Sequence, residues 1–323
     1  MGSAVLIHAG ADTTCAARGS GVQWIRTAAS NEQGAIDRWC AGVGPPARIE
    51  TARPPPAVLS GSFAVVSWNT HVGGGDLGRL VSDLREGRLT GAPVDQFVLL
   101  LQEVYRAGPE VPVGDPDRMN WAAAERIVPP SGAREDIVSL AHRLGLGGIY
   151  VPSMRNGSPG RLDEDRGNAI LASLALSEPT AIELPLERQR RVAIEATAHT
   201  AAGLAIRIVD THFTNMVMHH LWLFSESGRL RQARALAGVL PSDGALIVGG
   251  DFNAWFGFHD AAYRELAVLG HASPDEDRRP SFGPMRLDHV LFRLPETWKT
   301  RVRRADDRYG SDHYPLVASV DPG

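Results

Sequence analysis

The chain has 323 residues, 43% hydrophobic and 22% charged, enough for a real core in one large domain or two small ones. A formal net charge of -4 supplies no global basic field for nucleic acid, although a local basic groove would suffice. No apolar run approaches the roughly 18 residues that span a bilayer. Lys299 is the only lysine, and the arginines that carry the rest of the positive charge suit two-pronged phosphate contacts.

Residues 1–56 read as an N-terminal extension packed on the main domain. They hold both cysteines, Cys15 and Cys40, and a helix over residues 32–39 with Asn31 as its cap, and they end in the stiff run Arg53-Pro54-Pro55-Pro56. The cysteines could be bridged in an exported protein or remain thiols in a cytosolic one. Met1-Gly2-Ser3 has the look of a cloning remnant and leaves room for a removed signal peptide, so a secreted or periplasmic location is favoured and a cytoplasmic one is the alternative.

From residue 57 to 323 buried-type strands alternate with helical stretches. Residues 63–68 form a strand that stops at Asn69-Thr70-His71, and residues 77–84 fit a helix. Residues 97–101 form a strand closed by Gln102-Glu103. A long loop over residues 105–132 contains Trp121 and precedes a helix over 135–144 that ends at Gly145. Residues 152–166 read as irregular. The alternation over 192–198 predicts a half-exposed strand, and 204–209 leads into Asp210-Thr211-His212. Residues 229–240 fit an amphipathic helix. In residues 245–254 a buried strand meets two glycines, which predict a tight turn, and then Asp251 and Asn253. Residues 287–292 and 311–317 again join polar residues to apolar strands.

One pattern recurs: an apolar strand with Asn, Glu, His or Asp at its end. It occurs at Asn69, Glu103, His212, Asp251 with Asn253, Asp288, and Asp312 with His313. Polar oxygens at the mouth of a buried strand are costly unless something uses them. Strand ends converging on one cleft would supply what phosphoester hydrolysis needs: ligands for a hard cation, donors for phosphate oxygens, an orienter for water and an acid for the leaving group. There is no Cys/His cluster for zinc, no P-loop and no Gly-x-Ser-x-Gly elbow.

Ser67-Trp68-Asn69, Leu101-Gln102-Glu103, Gly167-Asn168-Ala169-Ile170-Leu171, Asp210-Thr211-His212-Phe213, Gly250-Asp251-Phe252-Asn253, Arg286-Leu287-Asp288-His289 and Ser311-Asp312-His313 follow one another in the chain. In that order they resemble the endonuclease/exonuclease/phosphatase superfamily of DNase I-like nucleases, apurinic endonucleases, neutral sphingomyelinases and inositol-polyphosphate 5-phosphatases. The resemblance covers about residues 57–320. It implies an α+β, four-layer α/β/β/α sandwich of two mixed β-sheets flanked by helices.

The resemblance also implies roles. Glu103 would be the principal Mg²⁺ ligand, helped by Asn69 and Asp312, with Mn²⁺ or Ca²⁺ as other candidate ions. Asp251 would orient or deprotonate water, Asn253 would hold a phosphate oxygen, and His313 would be base or transition-state donor with its ring fixed by Asp288. His212, where apurinic endonucleases carry Tyr, would be a general acid. Asn168 and Asn215 are candidate phosphate contacts, while His289 reads as structural and Arg190 and Arg191 as exposed residues that could reach phosphate. The implied activity is that of a monomeric phosphodiesterase, with nucleic acid the favoured substrate. A sphingomyelin-type phospholipid or an inositol polyphosphate is the alternative, and an inactive binding module a remote one. Aromatics in residues 216–224 and 255–258 would lie at the cleft rim.

Overall fold

A computed structural model describes residues 21–112, 134–155, 163–215 and 226–323. Cys15, Trp121 and the aromatic stretch at 216–224 lie outside the described residues. In chain order the elements are β1 (Gln23–Arg26), α1 (Gln33–Ala41), β2 (Ala47–Ile49), β3 (Phe63–Asn69), α2 (Leu77–Arg85), β4 (Phe97–Ala107), α3 (Ile137–Leu144), β5 (Gly147–Arg155) and β6 (Glu164–Ala172). They continue as β7 (Ser177–Glu183), β8 (Val192–His199), β9 (Ala205–His212), α4 (Glu226–Val239), β10 (Ala245–Asp251), α5 (Ala261–Leu266), β11 (Asp275–Glu276), β12 (Asp288–Arg293), β13 (Lys299–Arg304) and β14 (Leu316–Asp321).

One sheet has six strands in the order β1-β7-β8-β9-β10-β12, and the other has eight in the order β11-β13-β14-β3-β4-β6-β5-β2. The period-two geometry of a strand decides what fills each layer. On β3, Phe63 and Val65 enter the layer between the sheets, where Val98, Leu100 and Ile170 meet Ile194, Ile208 and Ile247 of the opposite sheet. Ala64, Val66 and Trp68 point the other way, under Leu80 and Leu84 of α2 and Leu140 of α3. The outer face of the six-stranded sheet is covered in the same manner by Leu236 of α4 and Leu266 of α5. The result is the four-layer α/β/β/α sandwich. Central strands covered on both faces explain the unbroken apolar runs in the sequence. Each fully buried Leu or Ile contributes about 1.5–3 kcal/mol.

Helix ends follow local chemistry. Asp76 accepts the Arg79 N–H at the start of α2, and Asp136 accepts those of Val138 and Ser139 at the start of α3. Gly145, at φ 69°, supplies the left-handed stop after α3.

The structure departs from the sequence expectations in several places. β8 is buried on both faces up to Ala198, not half-exposed, because Ala193 packs into the cluster under α4 while Arg207 and Glu178 reach over Glu195 and Thr197. β4 runs on to Ala107 through a bulge at Gln102 and Glu103, so the long loop begins later. Residues 152–155 and 164–166, read as irregular, belong to β5 and β6. Gly249 and Gly250 do not turn the chain; they are the last paired residues of β10 before Asp251. A Cβ on Gly250 would lie 1.8 Å from the Thr211 carbonyl oxygen, so the requirement is close strand approach.

Residues before β3 reach both sheets. β1 pairs with β7 and β2 with β5, each at a sheet edge. The Gly44 N–H donates to Asp165 Oδ2 at 2.8 Å, and Cys40 is buried and disulfide-bonded.

Candidate active site

Strand register brings the chemistry to one end of the sandwich. Asp251, the last residue of β10, is paired with His212 of β9 on one side and Asp288 of β12 on the other. In the facing sheet Asn69 ends β3 beside Gln102 of β4. The backbone here is strained: His71, Val72, Glu103 and Asn253 have φ of 51°, 56°, 53° and 48°. Left-handed conformations cost non-glycine residues on the order of 1–3 kcal/mol, and a β-branched residue such as Val72 is a marked outlier. Three of these four residues line the same cavity.

That cavity has a volume of about 250 Å³. Eight of the ten residues singled out from sequence line it: Asn69, Glu103, His212, Asn215, Asp251, Asn253, Asp312 and His313. Asp288 stands directly behind His313, its Oδ2 2.8 Å from the ring Nδ1. Asn168 is buried, donates to the Val192 carbonyl at 3.2 Å and is not among the lining residues.

Asp251 is the hub. Its Oδ2 accepts from Asn69 Nδ2 at 3.0 Å and lies 3.4 Å from His212 Nε2 and 3.8 Å from His313 Nε2; its Oδ1 accepts the Asn253 N–H at 2.8 Å. The Asn253 side chain is held by the Phe213 carbonyl at 3.0 Å. Burial, reinforced by the Asp288 charge, pushes the Asp251 carboxyl up to about 6. Burial alone would lower His313, but the charges of Asp288 and Asp251 outweigh it and raise the imidazolium to about 10. His212 goes the other way: burial first, then Arg191, His313 and Arg166, hold it well below the ordinary histidine range. At neutral pH the site therefore contains one cationic histidine and one neutral one, 3.8 Å and 3.4 Å from the same oxygen of Asp251.

The two arginines expected at the surface are both buried. Arg190 pairs with Glu183 at 2.7 Å, and Arg191 NH1 lies 3.1 Å from His212 Nδ1. His289 is enclosed by Phe252, Phe258 and Tyr263. A separate cavity of about 460 Å³ beside β2 and β5 carries only Arg48 and Glu50 as charged lining groups.

The model of the Endonuclease/Exonuclease/phosphatase family matches residues 66–313. The chain belongs to this family. It is accordingly a phosphoesterase, and the strand-end cavity lies where the matched segments converge. By sequence, no curated protein matches the chain. Among solved structures, the endonuclease/exonuclease/phosphatase from Beutenbergia cavernae DSM 12333 is similar at 17% identity over 81% of this chain and 72% of that one, with a TM-score of 0.56. A family protein from Leptotrichia buccalis C-1013-b is similar at 13% identity over 80% of this chain and 99% of that one, with a TM-score of 0.54. At these identities the likeness is one of fold.

Family members of this kind use a divalent cation, and the donor set can be tested for it. Asp251, Asp288 and His313 each bring a ligand atom within 4.8 Å of one another. Yet His313 Nδ1 and Asp288 Oδ2, at 2.8 Å, already satisfy each other through the shared proton. Glu103 differs: it lines the cavity, half-buried, and its carboxylate has no hydrogen bond or ion pair among the described residues. The partly exposed Asp312 carboxylate lines the same cavity. Carboxylate oxygens with room for water fit a hard cation such as Mg²⁺.

Sequence reasoning did not find Phe282, whose ring lies 4.8 Å from that of His313 in the cavity wall. It sits in a turn with no polar or periodic signal. Nor did it find the contact between Arg191 and His212, which exists only through tertiary pairing.

Proposed function

We propose that the protein is a Mg²⁺-dependent phosphodiesterase acting on nucleic acid. The observation that carries this reading is Asp251, pinned by Asn69 and the Asn253 N–H between a neutral and a cationic histidine, in the cavity that also holds the unpartnered Glu103. A carboxyl at about 6 is ionised at neutral pH and basic enough to take a proton from water, so Asp251 is the water-orienting base. His313, kept cationic by Asp288, donates to the phosphoryl oxygens as charge builds there. Asn253 and Asn215 hold phosphate oxygens, and Asn168 supports the strand behind them. Glu103, Asp312 and the Asn69 carboxamide hold the cation, which supplies charge neutralisation when bound.

Nucleic acid is favoured by the aromatic wall. Trp255 and Phe282 line the cavity, and the Trp255 indole N–H is buried without a partner among the described residues, a donor suited to a base or sugar acceptor. A phospholipid head group is the second reading, supported by Phe256, which is 41% exposed next to Trp255. The disulfide at Cys40 favours an exported protein. Within the extension 1–56, β1 and β2 clasp the sheet edges of a catalytic domain spanning 57–323.

The test is a substrate panel with Mg²⁺ and with EDTA: supercoiled plasmid, RNA, sphingomyelin vesicles, inositol polyphosphates and bis-p-nitrophenyl phosphate. Mg²⁺-dependent plasmid nicking is the expected result. Turnover of sphingomyelin alone would move the reading to lipid, and no turnover of any substrate would overturn it.

A further inference from the structure

His212 is held in an unusual way. Arg191, which immediately precedes β8, is buried, and so is His212 at the end of β9. One guanidinium nitrogen of Arg191 lies 3.1 Å from His212 Nδ1, and the other terminal nitrogen donates to Gln189 Oε1 at 2.6 Å, which fixes the plane of the group. A guanidinium has donors only. The ring Nδ1 must therefore offer its lone pair, and the ring proton of a neutral imidazole must sit on Nε2. An imidazolium would set an N–H against an N–H at that distance and two positive charges side by side in a buried place.

The cationic groups facing the ring outnumber the carboxylate that faces it. Arg191 precedes β8, Arg166 lies on β6, His313 comes from the turn before β14, and Asp251 at the end of β10 is the only carboxylate in contact among the described residues. Nε2 is 3.4 Å from Asp251 Oδ2, on the cavity side.

We propose that Arg191 is a positioning residue that locks His212 as a neutral imidazole with its proton on Nε2, so that His212 presents a fixed hydrogen bond to the phosphoryl group and does not act as a general acid. The phosphoryl part of this inference rests on the phosphodiesterase reading above; the tautomer does not. The arrangement gives the two histidines separate tasks. His313 faces carboxylates and brings a charge, whereas His212 faces an arginine and brings a directed N–H with no charge. Lysine could replace the donor to Nδ1 but not the second bond to Gln189, so Arg191→Lys should keep the tautomer with looser placement. Arg191→Met, close in volume, removes the donor altogether.

The test is ¹⁵N NMR of the imidazole rings in substrate-free protein, with turnover of bis-p-nitrophenyl phosphate measured alongside. Wild type should give His212 as the neutral Nε2–H form at pH 7. Arg191→Met should yield a mixture of tautomers and a kcat lower by about 10²-fold, the scale for losing one oriented donor, with a much smaller change in KM. Arg191→Lys should restore the tautomer and part of kcat. His212→Asn, which keeps an N–H donor but no titratable proton, should retain more activity than His212→Ala. An imidazolium or an Nδ1–H ring in wild type at pH 7 would overturn the proposal. So would an unchanged ring signature in Arg191→Met, and should that variant not fold, the wild-type and Arg191→Lys spectra decide. The Nε2–H signature together with no phosphodiester turnover would uphold the tautomer and sink the hydrolase reading.

Discussion

His313 keeps its proton because Asp288 Oδ2 sits 2.8 Å from Nδ1, while Asp251 resists losing its own because it is buried beside that same carboxylate. The active ionisation state in our account has Asp251 deprotonated and His313 protonated. Activity should therefore rise through about pH 6 and fall near pH 10. Asp288→Asn removes the charge that raises both groups, so both limbs of the profile should move to lower pH, the alkaline one most visibly. A pH–rate profile of that variant with an unmoved alkaline limb would refute the pairing. That Asp251, Glu103 and His313 share one cavity was legible in sequence because polar residues recur at the ends of several apolar strands, whereas one such end alone is equally well an Asx turn. Arg191 was not, since its neighbour His212 is 21 residues away and is reached only by strand pairing.

At the scale of elements, β10 explains why the site is so tightly gathered. Parallel pairing with β9 and antiparallel pairing with β12 put His212 and Asp288 on either side of Asp251, and glycine is needed for the strands to approach. A Cβ at Gly250 would meet the Thr211 backbone oxygen at 1.8 Å, whereas one at Gly249 would meet the end of the Leu100 side chain at 2.6 Å. Backbone cannot yield as a leucine methyl can. Gly250→Ala should cost more than Gly249→Ala, which should fall near the roughly 1–3 kcal/mol of ordinary overpacking. Urea unfolding of the two variants checks the order, and equal costs would contradict it. β3, β10 and the helices α2 and α3 were readable because apolar runs and capping aspartates are local signals. β5 and β7 were not: β5 opens on a glycine pair and contains Pro152, β7 contains Pro179, and both are made strands by their neighbours in the sheets.

At the scale of the whole molecule, the layered architecture was legible through the ordered motifs that resemble the family; the alternation of strand and helix segments alone assigned no layers. The way the two sheets are joined beneath the site was not. Gln102 of β4 donates to Asp210 of β9 at 2.6 Å across the intersheet layer, and burial holds the Asp210 carboxyl well above its usual range. A folded value above the unfolded one, about 3.9, means that this contribution to stability is full at low pH and is lost as pH rises through the folded value. Asp210→Asn keeps the shape without the ionisation, so unfolding free energies at about pH 5 and pH 9 should differ less for the variant than for wild type; an unchanged difference would contradict a neutral Asp210. The sheets, so joined, hold Glu103 and Asp251 across one cavity, and the central claim is that a cation held at Glu103 and water oriented by Asp251 hydrolyse phosphodiesters there. The most direct test is Mg²⁺ titration of bis-p-nitrophenyl phosphate hydrolysis by wild type and Glu103→Ala. The account predicts saturable, EDTA-sensitive turnover in wild type and none in a Glu103→Ala variant with an unchanged circular dichroism spectrum. Full Mg²⁺-dependent activity in that variant would contradict it.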